Sequence, residues 1–214
     1  MILAIYGTNG SGKEIYDLAM LVDRWEKIVF INDYEEEGIF MDCPRMPFEV
    51  FQQSYPAETT EVCIAVGEPA VKKLLYDRLK EKNYRLATII APTAIISPTA
   101  QIGEGVVVRH HTIISSEAVV HDNVYIQSNA IIGHNVEIES HCQISSYVHI
   151  SGNTRIGEGV YIGIHCPIRE KIGVGKYSIL SMGAVVLKDV PEEVVVMGNP
   201  ARVIAKNVEH KVFK

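Results

Sequence analysis

The chain has 214 residues, of which 47% are hydrophobic, enough to bury one large core or two modest ones. A net charge of -6 without any Lys/Arg block argues against nucleic acid as a partner. The apolar start MILAIYG is too short for a signal peptide, and no run reaches the ~18 apolar residues of a membrane helix, so we expect a cytoplasmic protein with no membrane partner.

Strand and helix patterns alternate up to about residue 90. The strands are LAIYG, KIVFIND, EVCIAVG and RLATII, and two helical patterns lie between them. Apolar residues at helical spacing predict one buried face on each helix, formed by Ile15, Leu18, Ala19 and Val22 in the first and by Val71, Leu74, Leu75 and Leu79 in the second. This alternation predicts a small parallel α/β domain over residues 1–90.

The turn GTNGSGKE after the first strand has features of two phosphate-binding motifs. Gly7 to Lys13 fits GxxxxGK, but Glu14 stands where a Mg²⁺-binding Ser or Thr is needed. The dinucleotide pattern GxGxxG fails because Asn9 replaces its second glycine, so neither an NTPase nor a dehydrogenase is favoured. The turn still offers backbone amides to an anion, and Asp33 ends the second strand, where it can bind ribose hydroxyls or a sugar.

A six-residue repeat replaces this pattern from residue 91 onward. Every sixth residue from Ile96 to Val186 is Ile, Val or Leu, an outcome with a chance of roughly 1 in 10⁵. A second series, four residues later, is small or β-branched and includes Cys142 and Cys166, which we therefore expect to be packed core thiols. The cysteines lack CxxC spacing, so no zinc site or disulfide framework is predicted. The repeat predicts a parallel β-helix of about five coils, three hexads to a coil.

The register of the repeat places His134 at an outward corner. One coil, or 18 residues, later the stacked position is Gly152, which leaves space for a ligand and exposes a backbone amide. His141 also falls at a corner, between Asn123 and Gly159 in the stack. The register thus makes His134 a candidate for chemistry, and we expect His141 to be a surface residue.

The segment IIGHNVEIESHCQISSYVHISGNTRIGEGVYIGIHCPIREKI resembles the NeuD/PglD-type sugar acyltransferases of the hexapeptide-repeat superfamily. The similarity extends to IYGTNGSGKEIYDLA, to FIND and to the closing GAVVLKDVPEEVVVMGNPARVI. It implies a Rossmann-like nucleotide-sugar-binding domain over 1–90 and a left-handed β-helix acyltransferase domain with a C-terminal tail over 91–214. It also implies a homotrimer with its active sites between neighbouring prisms.

The resemblance assigns roles to individual residues. It implies that His134, followed by Asn135, is the general base, with acetyl-CoA as co-substrate and no metal required. The implied acetyl-CoA-binding residues are Gln143, Gly152, Asn153, Ile164, Met182, Gly183 and Lys188. The implied residues for the nucleotide sugar are Gly7, Asn9, Gly10, Ser11, Gly12, Asn32, Asp33 and Gly67.

Two positions depart from the resembled family. Many members carry Asp or Glu directly after the base, where this chain has Asn135, and a second histidine often stands at the position of Gln143. An acid would favour the charged imidazole and fix its tautomer, whereas Asn135 can orient the ring by hydrogen bonding. The base is therefore expected to be weaker or to be oriented by another group.

The predicted reaction is acetyl transfer to the amine of a nucleotide-linked amino sugar. Transfer is expected to be direct, because the cysteines fall in the core series and no Ser–His pair is evident. Three alternatives remain at this stage: O-acetylation of a sugar hydroxyl, a β-helical zinc carbonic anhydrase with three converging histidines, and a non-catalytic trimeric scaffold.

Overall fold

The computed structural model describes residues 1–213, so Lys214, the last residue of the predicted second domain, lies outside the described part. The N-terminal unit has the following elements: β1 Ile2–Tyr6, α1 Gly10–Val22, β2 Lys27–Ile31, β3 Gly38–Phe40, β4 Cys43–Met46, α2 Phe48–Ser54, β5 Thr60–Ile64, α3 Pro69–Glu81 and β6 Arg85–Leu86. Its sheet has the order β3-β4-β2-β1-β5-β6 and is parallel except for the β3–β4 pair. The predicted parallel α/β fold is confirmed.

The two predicted helix faces have different outcomes. In α1 the residues Ile15, Leu18 and Ala19 are buried, as the spacing predicts. In α3 the prediction is wrong in part, because Val71 and Leu74 are 39% and 67% exposed while Lys72 is buried. The buried side of this helix runs through Lys72, Leu75 and Leu79, because Lys72 packs against the β-helix while Leu75 and Leu79 pack against the sheet.

The repeat region forms a triangular β-helix with three faces of parallel two-residue rungs. Face 1 comprises β7 Ile89–Ile90, β10 Val107–Val108, β13 Tyr125–Ile126, β16 Gln143–Ile144, β19 Tyr161–Ile162 and β22 Ile179–Leu180. Face 2 comprises β8 Ile95–Ile96, β11 Ile113–Ile114, β14 Ile131–Ile132, β17 His149–Ile150 and β20 Pro167–Ile168. Face 3 comprises β9 Gln101–Ile102, β12 Val119–Val120, β15 Glu137–Ile138, β18 Arg155–Ile156 and β21 Gly173–Val174.

Rungs on one face pair in register at an 18-residue step, as the predicted three-hexad coil requires. The first rung of face 1 lies at Ile89–Ile90, so the helix begins beside the predicted 90/91 boundary, and that division into domains stays a prediction. After the rungs, β23 Val194–Met197 joins face 1 and pairs antiparallel with β24 Arg202–Lys206. No helix within residues 1–213 is both long and apolar enough to cross a bilayer.

The β-helix interior is built from the two predicted residue series. The aliphatic series from Val108 to Leu180 is buried, and the small residues Ala118, Ala130 and Ala184 fill the space beside it. Cys142 and Cys166 belong to this core, where burial raises the pKa of each thiol to about 12. The prediction that they are packed core thiols is confirmed.

Face 1 packs against the N-terminal unit. Val107 and Tyr125 of this face share a core with Leu3 and Ile15. Lys72 of α3 is also buried here, with its Nζ 3.4 Å from the carbonyl oxygen of Cys142. Burial lowers the pKa of this ammonium to about 7. The contact fixes the two units against each other and leaves faces 2 and 3 uncovered by the N-terminal unit.

Candidate active site

His134 follows the β14 rung of face 2 and lies at the corner where the chain turns toward face 3, here called the 2–3 corner. The side chain is exposed, as predicted. Stacked positions at this corner recur every 18 residues, so Ser116 lies one coil before His134 and Gly152 one coil after it. The backbone at this step is held by a hydrogen bond from the Asn153 amide to the His134 carbonyl, at 3.0 Å.

Gly152 lies directly against the imidazole of His134. A Cβ added at Gly152 would lie 2.6 Å from Nε2 and 2.7 Å from Cε1, closer than real contacts allow. The predicted open space at Gly152 is therefore filled, in part, by the histidine ring itself. Glycine is required here so that the ring can lie in contact with the backbone of the next coil.

Asn135 holds the other nitrogen of the ring. His134 Nδ1 and Asn135 Oδ1 are 2.9 Å apart, and Asn135 Nδ2 donates to Glu117 Oε2 at 2.8 Å. Asn135 has φ of 56°, a left-handed corner conformation that Asn tolerates better than most residues. Glu117 was missed from the sequence, although it stands one 18-residue step before Asn135, which is the signal that could have found it.

The residues predicted to bind acetyl-CoA do not all meet at this corner. Asn153 is exposed beside Gly152, and Lys188 lies further along the same edge of the prism. Ile164, Met182 and Gly183 lie together at the opposite edge of face 2, where the Gly183 amide donates to the Ile164 carbonyl at 2.9 Å. One prism therefore presents the two predicted groups on different corners.

Gln143 lies on a different face of the prism from the His134 corner. It lies in the β16 rung of face 1, is 4% exposed, and its Oε1 has no hydrogen-bond partner within the described residues. Its rung is covered by the N-terminal unit, so the side chain is separated from the His134 corner. The contact of Gln143 with the cofactor stays a prediction.

His141 is not the surface residue that the sequence predicts. It is 5% exposed, because α3 covers its corner and the Tyr76 ring packs edge-on at 5.1 Å. Its Nδ1 lies 3.0 Å from Asn123 Nδ2. Burial lowers the pKa of His141 to about 4, so the ring is neutral at pH 7. The sequence pattern could not show this, since the covering helix comes from the other unit.

A cavity of about 440 Å³ lies at the carboxyl ends of the N-terminal strands. Of the residues predicted to bind the nucleotide sugar, Gly7, Asn9, Asn32 and Asp33 line it. The opposite wall is apolar and consists of Val66, Val71, Leu74 and Leu75. The exposed side chains of Val71 and Leu74 on α3 thus border this cavity.

The remaining predicted substrate residues support the cavity without lining it. Gly10, Ser11 and Gly12 form the first turn of α1, and a Cβ at Gly12 would lie 2.2 Å from the Gly7 carbonyl oxygen. Gly12 therefore lets the helix approach the strand closely. Gly67 faces the C-terminal tail, where its missing Cβ would lie 3.5 Å from the Phe213 ring.

Asp33 is already engaged by the protein. It accepts hydrogen bonds from the Tyr6 hydroxyl at 2.5 Å and the Phe48 amide at 2.8 Å, and it pairs with Arg78 at 2.6 Å. Partial burial acts to raise the pKa of Asp33, but the three donors outweigh it and hold the pKa below its usual value. Asp33 thus orders the polar end of the cavity together with Arg78.

Comparison with known proteins agrees with this architecture. The PglD N-terminal domain family matches residues 2–79, and the bacterial transferase hexapeptide family matches residues 117–152. The acetyltransferase domain of PglB from Neisseria gonorrhoeae is 30% identical with a TM-score of 0.90, covering 95% of this chain and 99% of that one. WeeI from Acinetobacter baumannii is 27% identical with a TM-score of 0.80, covering 95% and 100%.

Two further relatives differ in the share of the chain that they match. PerB from Caulobacter crescentus, solved with CoA and GDP-perosamine, is 20% identical with a TM-score of 0.87 over 96% of this chain and 98% of that one, and shows the shared fold. A protein of Saccharomyces cerevisiae whose acetyltransferase activity is itself inferred is 47% identical over 38 residues, 18% of this chain, and the match spans only 19% of the yeast protein.

The fold and these matches define a hexapeptide-repeat acyltransferase with a left-handed β-helix. The chain belongs to the NeuD/PglD-type sugar acyltransferases.

Proposed function

We propose that the protein transfers the acetyl group of acetyl-CoA to the amine of a nucleotide-linked amino sugar. Family membership supports sugar acyl transfer, the PglB domain has been solved with acetyl coenzyme A, and PerB with CoA and GDP-perosamine. A cytoplasmic location stays a prediction.

The observation that carries the proposal is the state of His134. Its Nδ1 is held by Asn135 at 2.9 Å, while Nε2 faces Gly152 on an exposed corner. A neutral imidazole held in this way keeps one nitrogen free to accept a proton. A positioned general base of this kind typically contributes roughly 10²–10⁴-fold to the rate.

We propose that the transfer is direct, without a covalent intermediate. The acceptor amine gives its proton to His134 Nε2 as its nitrogen attacks the thioester carbonyl carbon. The resulting oxyanion needs a donor, for which the Gly152 amide is our candidate. Collapse of the tetrahedral species breaks the C–S bond, and the CoA thiolate takes the proton from the imidazolium.

We assign the nucleotide sugar to the N-terminal cavity. Its volume of about 440 Å³ lies within the range of about 300–1,000 Å³ that is usual for small-ligand sites. The apolar wall suits a base or sugar ring, and Asn32, Asp33 and Arg78 supply polar groups at the other end. The first turn of α1 presents amides toward an anion, as a pyrophosphate requires.

We further propose a homotrimer with the acetyl-CoA site between neighbouring prisms. Ile95, Ile113 and Ile131 form an outward ladder on face 2, with exposed fractions of 63%, 36% and 36%. A neighbouring prism against this face would cover the ladder and would bring Met182 and Gly183 of one chain toward His134 of another. Light scattering at micromolar concentration tests this, and a monomer would remove the shared site.

The activity is tested by thiol release from acetyl-CoA against UDP-, dTDP- and GDP-linked amino sugars. Matched sugars with a hydroxyl in place of the amine separate N- from O-acetylation. If no amino sugar in the panel stimulates thiol release from acetyl-CoA, the proposal is contradicted. Metal analysis of the same preparation tests the carbonic anhydrase alternative. One group of side chains, His121, Glu137 and Glu139, could hold an ion. It contains a single histidine, and Arg155 pairs with both of its carboxylates.

A further inference from the structure

We infer that Glu117 is a positioning residue that sets the tautomer of His134 through the side chain of Asn135. This inference rests on the proposed role of His134 as general base. It assigns the positioning of the proposed base to a carboxylate on the preceding coil, which acts through the Asn135 amide.

The two partners of Asn135 determine the orientation of its side-chain amide. One end of this amide lies 2.8 Å from Glu117 Oε2 and the other lies 2.9 Å from His134 Nδ1. An ionised carboxylate can only accept hydrogen bonds, so the end of Asn135 that faces Glu117 must be the NH₂ group. The carbonyl Oδ1 must therefore face the imidazole.

The orientation of Asn135 in turn determines which imidazole nitrogen of His134 carries the proton. Oδ1 of Asn135 can only accept, so His134 Nδ1 must carry the proton that it receives. In the neutral ring this leaves Nε2 unprotonated. Nε2 is the nitrogen beside Gly152, where we place the reacting groups. Without Glu117 the amide could rotate, and Nδ1 could accept from Nδ2 while Nε2 kept the proton.

Hydrogen bonds between coils hold the backbone of Glu117 in place at this corner. The Glu117 amide donates to Thr99 Oγ1 at 3.0 Å, and the Asn135 amide donates to the Ser116 carbonyl at 3.0 Å. Both residues have φ of 56°, so they occupy equivalent corner positions on consecutive coils. The line from Glu117 to Asn135 to His134 is thus fixed by the stacking of the coils.

Three variants test the inference: Glu117→Gln, Asn135→Asp and the double exchange Glu117→Gln/Asn135→Asp. Glu117→Gln can donate as well as accept, so the amide loses its fixed orientation, and we expect kcat to fall about 10-fold, less than for loss of the base itself. The KM for acetyl-CoA should stay unchanged. Asn135→Asp places two carboxylates side by side and should also lower kcat.

The double exchange restores one carboxylate and one amide along the line. Asp at position 135 would accept from His134 Nδ1, and Gln at 117 would donate to it, so kcat should return to within a few-fold of the parent. The acidic limb of its pH–rate profile should move to higher pH, because a carboxylate beside the ring favours the imidazolium. Glu170→Gln, which removes a charge from the same corner without contacting Asn135, is the matched control.

Side-chain ¹⁵N NMR of His134 gives a readout that does not depend on activity. At pH 8 the parent should show the Nδ1-protonated tautomer, and Glu117→Gln should show a mixture. A parent ring protonated on Nε2, or a Glu117→Gln variant with parental tautomer and kcat, would overturn the inference. If His134→Ala remains fully active while the tautomer depends on Glu117, the proposed function fails and the structural role of Glu117 stands.

Discussion

His134 and Gly152 occupy equivalent corner positions on consecutive coils, and the imidazole of His134 contacts the backbone of Gly152. A Cβ at Gly152 would lie 2.6 Å from His134 Nε2. The contact joins the proposed base to the proposed oxyanion donor, so a change at either residue affects both.

Gly152→Ala should therefore lower kcat while the protein stays folded. The added methyl group displaces the ring from its position, and a misplacement of about 1 Å can cost ~10²-fold in rate. Steady-state kinetics with acetyl-CoA and the sugar nucleotide measure this. Ser151→Ala, a neighbouring small-residue change, is the control and should stay within a few-fold of the parent. Parental kcat in Gly152→Ala would show that the ring position is not critical.

Asp33→Ala should raise the KM for the sugar nucleotide and leave that for acetyl-CoA nearly unchanged. It should also lower the free energy of unfolding, because Tyr6, Arg78 and the Phe48 amide lose their shared acceptor. A partly buried group left without its partner costs about 1–3 kcal/mol.

Asp33→Asn is the matched comparison, since it keeps an acceptor for the Phe48 amide and removes the charge. It should retain more stability than Asp33→Ala while still weakening the Arg78 pair. Equal damage to both KM values in either variant would mean that the N-terminal cavity is not the acceptor site.

His141 should influence stability, not catalysis. Its folded-state pKa is lowered by burial from 6.5 to about 4, so between these values the unfolded state binds more protons than the folded state. The contribution of His141 therefore destabilises the fold as pH falls from 6.5 to 4 and vanishes above 6.5. Urea unfolding at pH 7 and pH 4.5 should show a smaller loss in His141→Gln than in the parent.

The buried position of His141 also means that its removal should cost stability. His141→Ala removes one of the two acceptors of Asn123 Nδ2, which still donates to the Lys72 carbonyl, and opens a gap beside Tyr76, so we expect a loss of about 1–3 kcal/mol at pH 7. Its kcat should remain within a few-fold of the parent. An unchanged unfolding midpoint would contradict the buried placement.

Most of the β-helix could be predicted from the sequence, because each hexad repeats the same pattern of buried and exposed positions. The aliphatic and small-residue series fixed the coil length, the register of the rungs and the outward corner of His134. The N-terminal unit was less predictable in its irregular part. The β3–β4 hairpin and α2 lie in a stretch without clear periodicity, and neither was predicted.

Contacts between the two units, or between coils, were the features that the sequence did not reveal. Lys72 and His141 are buried because α3 packs on face 1, a contact that local spacing does not encode. Glu117 lies 18 residues before Asn135, so its role appears only when stacked positions are compared by side-chain chemistry and not by hydrophobicity alone.

The most direct test of the account is the kcat of His134→Ala, with His141→Ala as its histidine control. His134 is exposed at a corner, so its removal should leave the fold intact, since surface changes usually cost less than about 0.5 kcal/mol. We predict that kcat falls by roughly 10²–10⁴-fold while acetyl-CoA affinity is little changed. Full activity in His134→Ala, together with loss of activity in a folded His141→Ala, would contradict the assignment of the base.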